Sequence, residues 1–246
     1  MKKLLIILLL LSCTIPASAR SIISGISANE INIDTSFNGA EILLFGAKGD
    51  AGNIVVAVRG PKKNFLVTKK QKLLGIWYNG ARLKFKDSFS YYSLFSTFSE
   101  DNANNKLLSQ LELGTANLKF TTSEANLSSD QKNEFQLQLI NKLTKENLYT
   151  SKANKIEFLD ETLFKVILQF PKNIVRGVYT VEIYLINEED LISFQSIPIY
   201  VNQVGISATI SDQSYQQPLL YGLLSVIMAL VIGWLANYLF VKFFAK

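Results

Sequence analysis

The chain has 246 residues, a formal net charge of +5 and one cysteine, and it contains no histidine. Without histidine it cannot build a Ser-His-Asp or Cys-His nucleophile system, or a histidine-ligated zinc, copper or haem site. The modest positive charge is typical of a soluble surface with some attraction to anionic membranes or envelope polymers, and we expect no nucleic-acid partner. We therefore predict a protein that is not an enzyme, with no catalytic residue, no metal ligand and no cofactor.

Residues 1–19 predict a secretory signal peptide. Two lysines precede an uncharged apolar run over 4–11, and the small residues Ala17 and Ala19 fit the signal-peptidase site. The residues before Cys13 also resemble a lipoprotein box, so acylation of Cys13 is the alternative to cleavage after Ala19. In both cases we expect an exported chain without a disulfide bond.

Residues 20–100 predict a first β-rich domain. Short alternating apolar segments are separated by turns rich in Gly, Asn and Pro. The predicted strands are 31–33, 41–45, 54–58, 64–68, 73–77, 83–85 and 91–95, with a turn at Asn79–Gly80. Many short strands at close spacing favour an immunoglobulin-like β-sandwich.

Residues 101–150 predict a helical connecting segment. Leu107 and Leu111 share a helical face, and Gly114 is placed to end that helix. A second helix begins at Ser128, which forms a capping box with Gln131. Its apolar stripe consists of Phe135, Leu139, Ile140 and Leu143. The fold class is therefore mainly β with a helical insert.

Residues 151–210 predict a second β-rich domain, although the sequence leaves open whether the exported part is one domain or two. The predicted strands are 155–158, 164–170, 177–186 and 192–201. The last two are expected to form a hairpin around the turn Glu188–Asp190. Residues 211–217 are then a juxtamembrane linker.

The last apolar run predicts a C-terminal transmembrane helix over 218–243, followed by a tail over 244–246. The uncharged stretch Leu219–Val241 extends about 34 Å as a helix, enough to cross the hydrocarbon core of a bilayer. Because the signal peptide exports the preceding chain and lysines follow the span, we expect a periplasmic ectodomain, a cytoplasmic C-terminus and an inner-membrane location.

Eleven short motifs are spread over nearly the whole mature chain, and their order and spacing carry a resemblance to a known family. They are Phe45–Ala47, Arg59–Pro61, Gly75–Asn79, Ser90–Ser93, Leu148–Tyr149, Leu163–Phe164, Phe170–Pro171, Arg176–Tyr179, Tyr184–Leu185, Leu220–Gly222 and Gly233–Trp234. In these motifs the chain resembles a family of predicted alphaproteobacterial transmembrane proteins, Alph_Pro_TM. The resemblance implies a signal peptide, a periplasmic part and one C-terminal span, and it implies no activity or catalytic residue. Members look associated with permeases of the sulfite-exporter type, which implies a membrane permease as partner.

The densest basic segment follows this family's Arg59–Pro61 motif. Its cations are Arg59, Lys62, Lys63, Lys69, Lys70 and Lys72. One interpretation is a site for a lipid headgroup, another anionic ligand or an acidic partner. The alternative is a solvated hairpin whose lysines protect an edge strand. In a hairpin Lys69 would lie on one face and Lys70 and Lys72 on the other.

Trp77 and Tyr78 form a candidate ectodomain interface. An exposed Trp77 would serve as an interface anchor, whereas a tryptophan of a sandwich more often lies in the core, and we expect the core position here. The sequence thus leaves both roles open.

The predicted span has one face of small and polar residues. These are Gly222, Ser225, Ala229, Gly233 and Asn237. Small residues allow a second helix to approach closely, and an asparagine can hydrogen-bond across the contact. The alternative is a helix that faces only lipid. We expect the bilayer itself as one partner, and a membrane permease or a second copy of the chain as the other.

Two functional hypotheses remain. The first is a non-enzymatic accessory or assembly subunit of an inner-membrane complex such as a permease. The second is a periplasmic binding module that recognises an anionic lipid headgroup or glycan through Arg59 and the nearby lysines.

Overall fold

The computed structural model describes residues 21–73, 75–98, 105–123, 127–188, 190–205 and 214–244. Within these ranges the chain is mostly β-sheet, with few helices and one C-terminal apolar helix, so the predicted fold class is confirmed. The predicted signal peptide lies outside the described residues. The immunoglobulin-like topology stays a prediction.

The described residues include thirteen strands, three helices and one further helical turn at 214–216. The strands are β1 (Ile22–Ile26), β2 (Glu30–Ile33), β3 (Ala40–Lys48), β4 (Asn53–Arg59), β5 (Lys62–Leu73), β6 (Ile76–Phe89), β7 (Tyr92–Ser96), β8 (Thr121–Thr122), β9 (Asn154–Lys155), β10 (Glu157–Phe158), β11 (Leu163–Phe170), β12 (Gly177–Asn187) and β13 (Asp190–Gln203). The helices are α1 (Asn105–Gln110), α2 (Ser129–Lys145) and α3 (Pro218–Phe244), and a 3₁₀ turn covers Thr115–Asn117.

Two sheets enclose the main core. The first has the order β1-β3-β11-β10, and the second has the order β2-β13-β12-β4-β7-β9. Alternating apolar residues of β11 and β12 face inward, including Phe164, Val166, Val181 and Ile183. This period of two explains why the sequence predicted both strands. The hairpin of β12 and β13 is also confirmed, with Asn187 paired to Asp190 at its end.

Strands from the two predicted β-rich segments are interleaved. β3 pairs antiparallel with β11, and β4 pairs antiparallel with β12. Residues of both segments therefore line one buried cluster. These pairings join positions more than one hundred residues apart in the sequence.

The larger sheet is covered on its other side by the segment that contains α1. Every residue of β4 from Ile54 to Val58 is buried, which is the pattern of a strand covered on both faces. Val55 and Ala57 pack with Leu113, and Leu108 lies against the same small cluster. The predicted helix before Gly114 thus forms a second, smaller core.

α2 covers the third sheet, which has the order β5-β6-β8. The Ser128 hydroxyl accepts a hydrogen bond from the Gln131 N–H, and the Gln131 side chain accepts one from the Ser128 N–H, so the predicted capping box is confirmed. Phe135, Leu139 and Leu143 point into the core. α2 therefore fixes the base of the β5–β6 hairpin against the main core.

The predicted turn at Asn79–Gly80 is wrong, and so is the predicted strand over 73–77. Asn79 and Gly80 lie inside β6, and the chain reverses between Leu73 and Ile76 instead. Gly75 makes this tighter turn possible because its φ of 87° is readily adopted only by glycine. Gly80 lies beside the Gln71 side chain, where an added Cβ would approach it to 2.7 Å.

Candidate functional site

The β5–β6 hairpin is the most exposed part of the β-rich region. Near its base Phe85 and Leu83 are buried, and Phe85 packs edge-on against Phe120 with ring centroids 5.7 Å apart. Beyond the pair of Thr68 and Arg82, every described residue except Gly80 is exposed. Five residues of β5 and six residues of β6 continue past this point, so the distal part extends about 17 Å.

Cations cover one face of this distal part. Lys72 pairs with Trp77, Lys70 with Asn79, and Thr68 with Arg82, and residues directly opposite in an antiparallel pair share a face. Lys84, opposite Leu66, continues the same face. The Lys72 ammonium lies 5.8 Å from the centre of the Trp77 ring. We call this surface, defined by Lys70, Lys72, Arg82 and Lys84, the cationic face.

Apolar side chains form the end of the hairpin. Leu73 is 64% exposed, Ile76 73%, Trp77 65% and Tyr78 45%. We call these four residues the apolar tip. The Tyr78 hydroxyl donates a hydrogen bond of 2.6 Å to the Gln71 side-chain oxygen, which holds the ring beside the strand. The expected core position of Trp77 is therefore wrong.

The remaining predicted basic residues lie elsewhere. The Lys69 ammonium forms an ion pair with Glu134 of α2, 2.9 Å away, on the opposite face from Lys70. Burial lowers the pKa of Lys63 below its usual value, with Glu146 opposing this effect and Lys142 adding to it. Lys62 lies over the Phe89 ring. Lys62 and Lys72 are ten positions apart, which corresponds to about 33 Å of strand, so the six predicted cations do not form one cluster.

Arg59 is engaged inside the protein. Its guanidinium donates to the Glu182 carboxylate at 2.5 Å and to the Leu111 carbonyl at 2.6 Å, and the side chains of Arg59 and Glu182 are only 14% and 16% exposed. Its Nε is buried and has no hydrogen-bond partner within the described residues. The ion pair thus joins β4 and β12 to the segment after α1.

Two tyrosines complete this buried polar cluster. The Tyr184 hydroxyl donates to the same Glu182 carboxylate oxygen at 2.7 Å. The Tyr92 hydroxyl accepts a hydrogen bond from the Gly114 N–H at 2.7 Å, and burial raises the pKa of Tyr92 to about 12. Burial also raises the pKa of Tyr184, and its hydrogen bond to Glu182 acts in the same direction. Both tyrosines are therefore neutral hydrogen-bonding groups at physiological pH.

A cleft lies beside this cluster, between β7 and the segment after α1. Its volume is about 250 Å³, and its lining includes Val55, Leu94, Phe98, Leu113, Asn117 and Thr150. This volume lies below the ordinary range of small-molecule pockets. No group of three or more potential metal-ligating residues occurs in the described part of the chain.

α3 exposes all of its described side chains. An added Cβ at Gly222 or Gly233 would meet nothing within 4 Å. The Ser225 hydroxyl donates to the Tyr221 carbonyl one turn earlier, at 2.8 Å. Towards the C-terminus Trp234 stacks on Tyr238, whose ring lies 5.8 Å from the Lys242 ammonium. Aromatic rings and a lysine at a helix end are typical of a membrane interface.

The fold and the C-terminal helix together define a β-rich protein with a helix suited to a membrane. Pro218–Lys242 is long and apolar enough to cross a bilayer, with a mean hydropathy of 2.3. The chain belongs to the family described as "Putative transmembrane protein (Alph_Pro_TM)", whose model matches residues 21–242, and this confirms the resemblance seen in the sequence motifs. Comparison with curated proteins and with solved structures gives no significant match.

Sequence reasoning missed Arg82 and Lys84 of the cationic face. They belong to β6, and their place beside Lys70 and Lys72 follows only from the hairpin register. One sequence signal could have found them. Residues 62–86 contain no Asp or Glu, whereas they contain Lys62, Lys63, Lys69, Lys70, Lys72, Arg82, Lys84 and Lys86.

Proposed function

We propose that this protein is a non-enzymatic, single-span accessory or assembly subunit of an inner-membrane complex such as a permease. In this proposal the β-rich region is periplasmic and the C-terminus is cytoplasmic. The small and polar face of α3 is the contact surface. The chain has no histidine, which leaves the familiar histidine-dependent catalytic systems without their central residue.

The main support is the chemistry of that helix face. Gly222, Ala229 and Gly233 leave the backbone accessible, and a Cβ added to either glycine would have no neighbouring atom within 4 Å. Helices in a bilayer associate through such close approach, since lipid chains remove the usual hydrophobic driving force. A face of this kind therefore suits a second membrane helix.

Asn237 adds a polar reason for a partner. Its side chain has no hydrogen-bond partner among the described residues. It lies about 10 Å along the axis from the middle of the span, inside a hydrocarbon half-thickness of about 15 Å. An amide at this depth is stabilised by a hydrogen bond to a neighbouring helix.

Co-purification of the full chain from native membranes in mild detergent tests the proposal. The double variant Gly233→Ile and Asn237→Leu should lose a membrane partner or self-association. Val231→Ile with Leu235→Ile, on the opposite side of α3, is the matched control and should retain it. Unchanged association of the Gly233 and Asn237 variant would contradict the proposal.

A second candidate function is supported by the cationic face. Among the described residues no carboxylate pairs with Lys70, Lys72, Arg82 or Lys84. We propose as the alternative that the protein is a periplasmic binding module for an anionic envelope ligand, a lipid headgroup or a glycan. Arg59 supports the fold in this version, because its guanidinium is already held by Glu182 and the Leu111 carbonyl.

Binding of a fluorescent anionic polysaccharide to the full chain in detergent tests this alternative. Binding should weaken with added salt and fall in the variant Lys70→Gln with Lys72→Gln. Lys152→Gln with Lys155→Gln removes the same charge from exposed positions outside the hairpin and should bind normally. Equal binding by both variants would refute a role for the cationic face.

A further inference from the structure

The distal hairpin combines two surfaces in a fixed order. Leu73 and Ile76 form the end of the hairpin, and the cationic face begins at the next pair, where Lys72 lies directly opposite Trp77. Arg82 and Lys84 continue that face towards the base. On this face each pair from Lys72–Trp77 to Leu66–Lys84 therefore contributes one cation, over about 20 Å of strand.

This order matches the layers of a bilayer surface. Aliphatic side chains are stabilised most by burial at the boundary of the acyl chains, and tryptophan and tyrosine favour the level of the headgroups. Lysine and arginine are attracted to the anionic phosphates. The Lys72 ammonium also contacts the Trp77 ring at 5.8 Å, so the aromatic and cationic layers are in direct contact. In water the exposed side chains of Leu73 and Ile76 lack the stabilisation that burial of apolar surface provides.

We propose that the apolar tip inserts into the headgroup region of the bilayer that holds α3, with the cationic face bound to anionic lipid. This inference rests on the second candidate function and chooses the lipid over the glycan. The exposed Leu73 and Ile76 decide between them, because neither can hydrogen-bond to a sugar whereas both are stabilised by burial at an acyl boundary. The protein then contacts its membrane at two places.

The attachment of the chain to the bilayer through α3 makes the contact between the hairpin and the bilayer favourable. Residues 206–213 separate Gly205 of the β-rich region from Ser214, and this length spans at most about 30 Å. The hairpin therefore encounters the bilayer in an intramolecular step, for which the effective concentration is high. A contact too weak to recruit a free protein is sufficient for a tethered one.

Tryptophan fluorescence provides a direct test, because Trp77 and Trp234 are the two tryptophans of the chain. Trp234→Phe leaves Trp77 as the only tryptophan of the chain, so that excitation selective for tryptophan reports on it alone. This variant is placed in nanodiscs of phosphatidylcholine with or without phosphatidylglycerol, containing a lipid brominated near the headgroup end of its acyl chains. We expect a blue shift and quenching of Trp77 emission in the anionic discs, and loss of both in high salt.

Two variants of the single-tryptophan chain make the test specific. Lys70→Glu with Lys72→Glu should abolish the quenching of Trp77. Lys152→Glu with Lys155→Glu makes the same change of charge at exposed positions outside the hairpin and should leave it intact. The complementary chain, Trp77→Phe, retains Trp234 in the span and should be quenched by deeply brominated lipid in both kinds of disc.

Unquenched Trp77 in anionic discs with headgroup-end bromine would overturn the inference when anionic discs with deep bromine do quench Trp234. If such a protein still binds the anionic polysaccharide through Lys70 and Lys72, the second candidate function survives and only lipid insertion fails. If the protein binds neither the anionic lipid nor the polysaccharide, both the lipid insertion and the second candidate function fail. Quenching that is unaffected by the Lys70 and Lys72 reversal would also overturn the role of the cationic face.

Discussion

The buried pair of Arg59 and Glu182 gives the sharpest prediction for stability. Replacing Glu182 with alanine leaves the Arg59 guanidinium bonded only to carbonyl groups, those of Leu111 and Glu112. It also removes the acceptor of the Tyr184 hydroxyl. The charge of Arg59 would then be buried without a counterion.

The burial of the Arg59–Glu182 pair sets the expected loss of stability. Breaking a fully buried pair costs about 3–5 kcal/mol, and side-chain exposures of 14% and 16% place this pair at the lower end, at about 3 kcal/mol. For a chain of this size that corresponds to a fall in melting temperature of roughly 6–12 °C. The double variant Arg59→Met with Glu182→Ala should be no less stable than Glu182→Ala alone, because it removes the unpaired charge.

Urea unfolding of the full chain in mild detergent, followed by far-ultraviolet circular dichroism, measures these differences. The control is Glu157→Ala, which breaks the pair with Lys165 on the surface, where the side chains are 65% and 32% exposed. This control should cost less than about 1 kcal/mol. Equal losses for Glu182→Ala and Glu157→Ala would refute the claim that burial makes the Arg59 pair important.

Two further predictions concern the core. Burial raises the pKa values of Tyr91, Tyr92 and Tyr179 to about 12, so above pH 10 the unfolded chain ionises first and stability should fall by about 1.4 kcal/mol per pH unit for each tyrosine up to about pH 12. Urea titrations between pH 10 and pH 12 measure the slope of unfolding free energy against pH, and Tyr179→Phe should reduce this slope. A free energy of unfolding that does not change with pH would contradict the raised pKa values. Gly46→Ala would bring a Cβ to 2.7 Å from the Phe164 ring and 2.9 Å from the Ile23 carbonyl, and it should destabilise by about 1–3 kcal/mol. Leu43→Ala, at a half-exposed position of the same strand, should cost less in the same assay, and the reverse order would show that β1, β3 and β11 are not this closely packed.

Elements with a strong local signal could be predicted from the sequence. β12 alternates apolar and polar residues, α2 begins with a capping box, and α3 is one uninterrupted apolar run. In each case the residues that determine the element lie within it. These predictions needed no knowledge of distant contacts.

The hairpin shows where local signals mislead. Asn79–Gly80 has the strongest turn propensity of the segment, yet it forms a bulged part of β6 because the register of β5 is set by Phe65, Val67, Leu83 and Phe85 at the base. Packing against α2 thus overrides the turn preference. The exposure of Trp77 follows from this shift, since the strand continues beyond the core.

The buried pair shows a second kind of limit. Arg59 and Glu182 are 123 positions apart, and only the pairing of β4 with β12 brings them together. A sequence contains no local mark of such a contact. The grouping of Arg59 with the lysines was natural from their proximity in the chain, whereas the fold directs its side chain to a carboxylate.

Site-specific photocrosslinking in native membranes tests the proposed helix contact most directly. A benzophenone amino acid at Ala229 lies on the small and polar face of α3, and the same group at Val231 lies on the opposite side. We expect a discrete protein adduct from position 229, identified by mass spectrometry as a membrane protein or a second copy, and little or none from position 231. Adducts that are absent or equal at both positions would contradict a helix contact on this face.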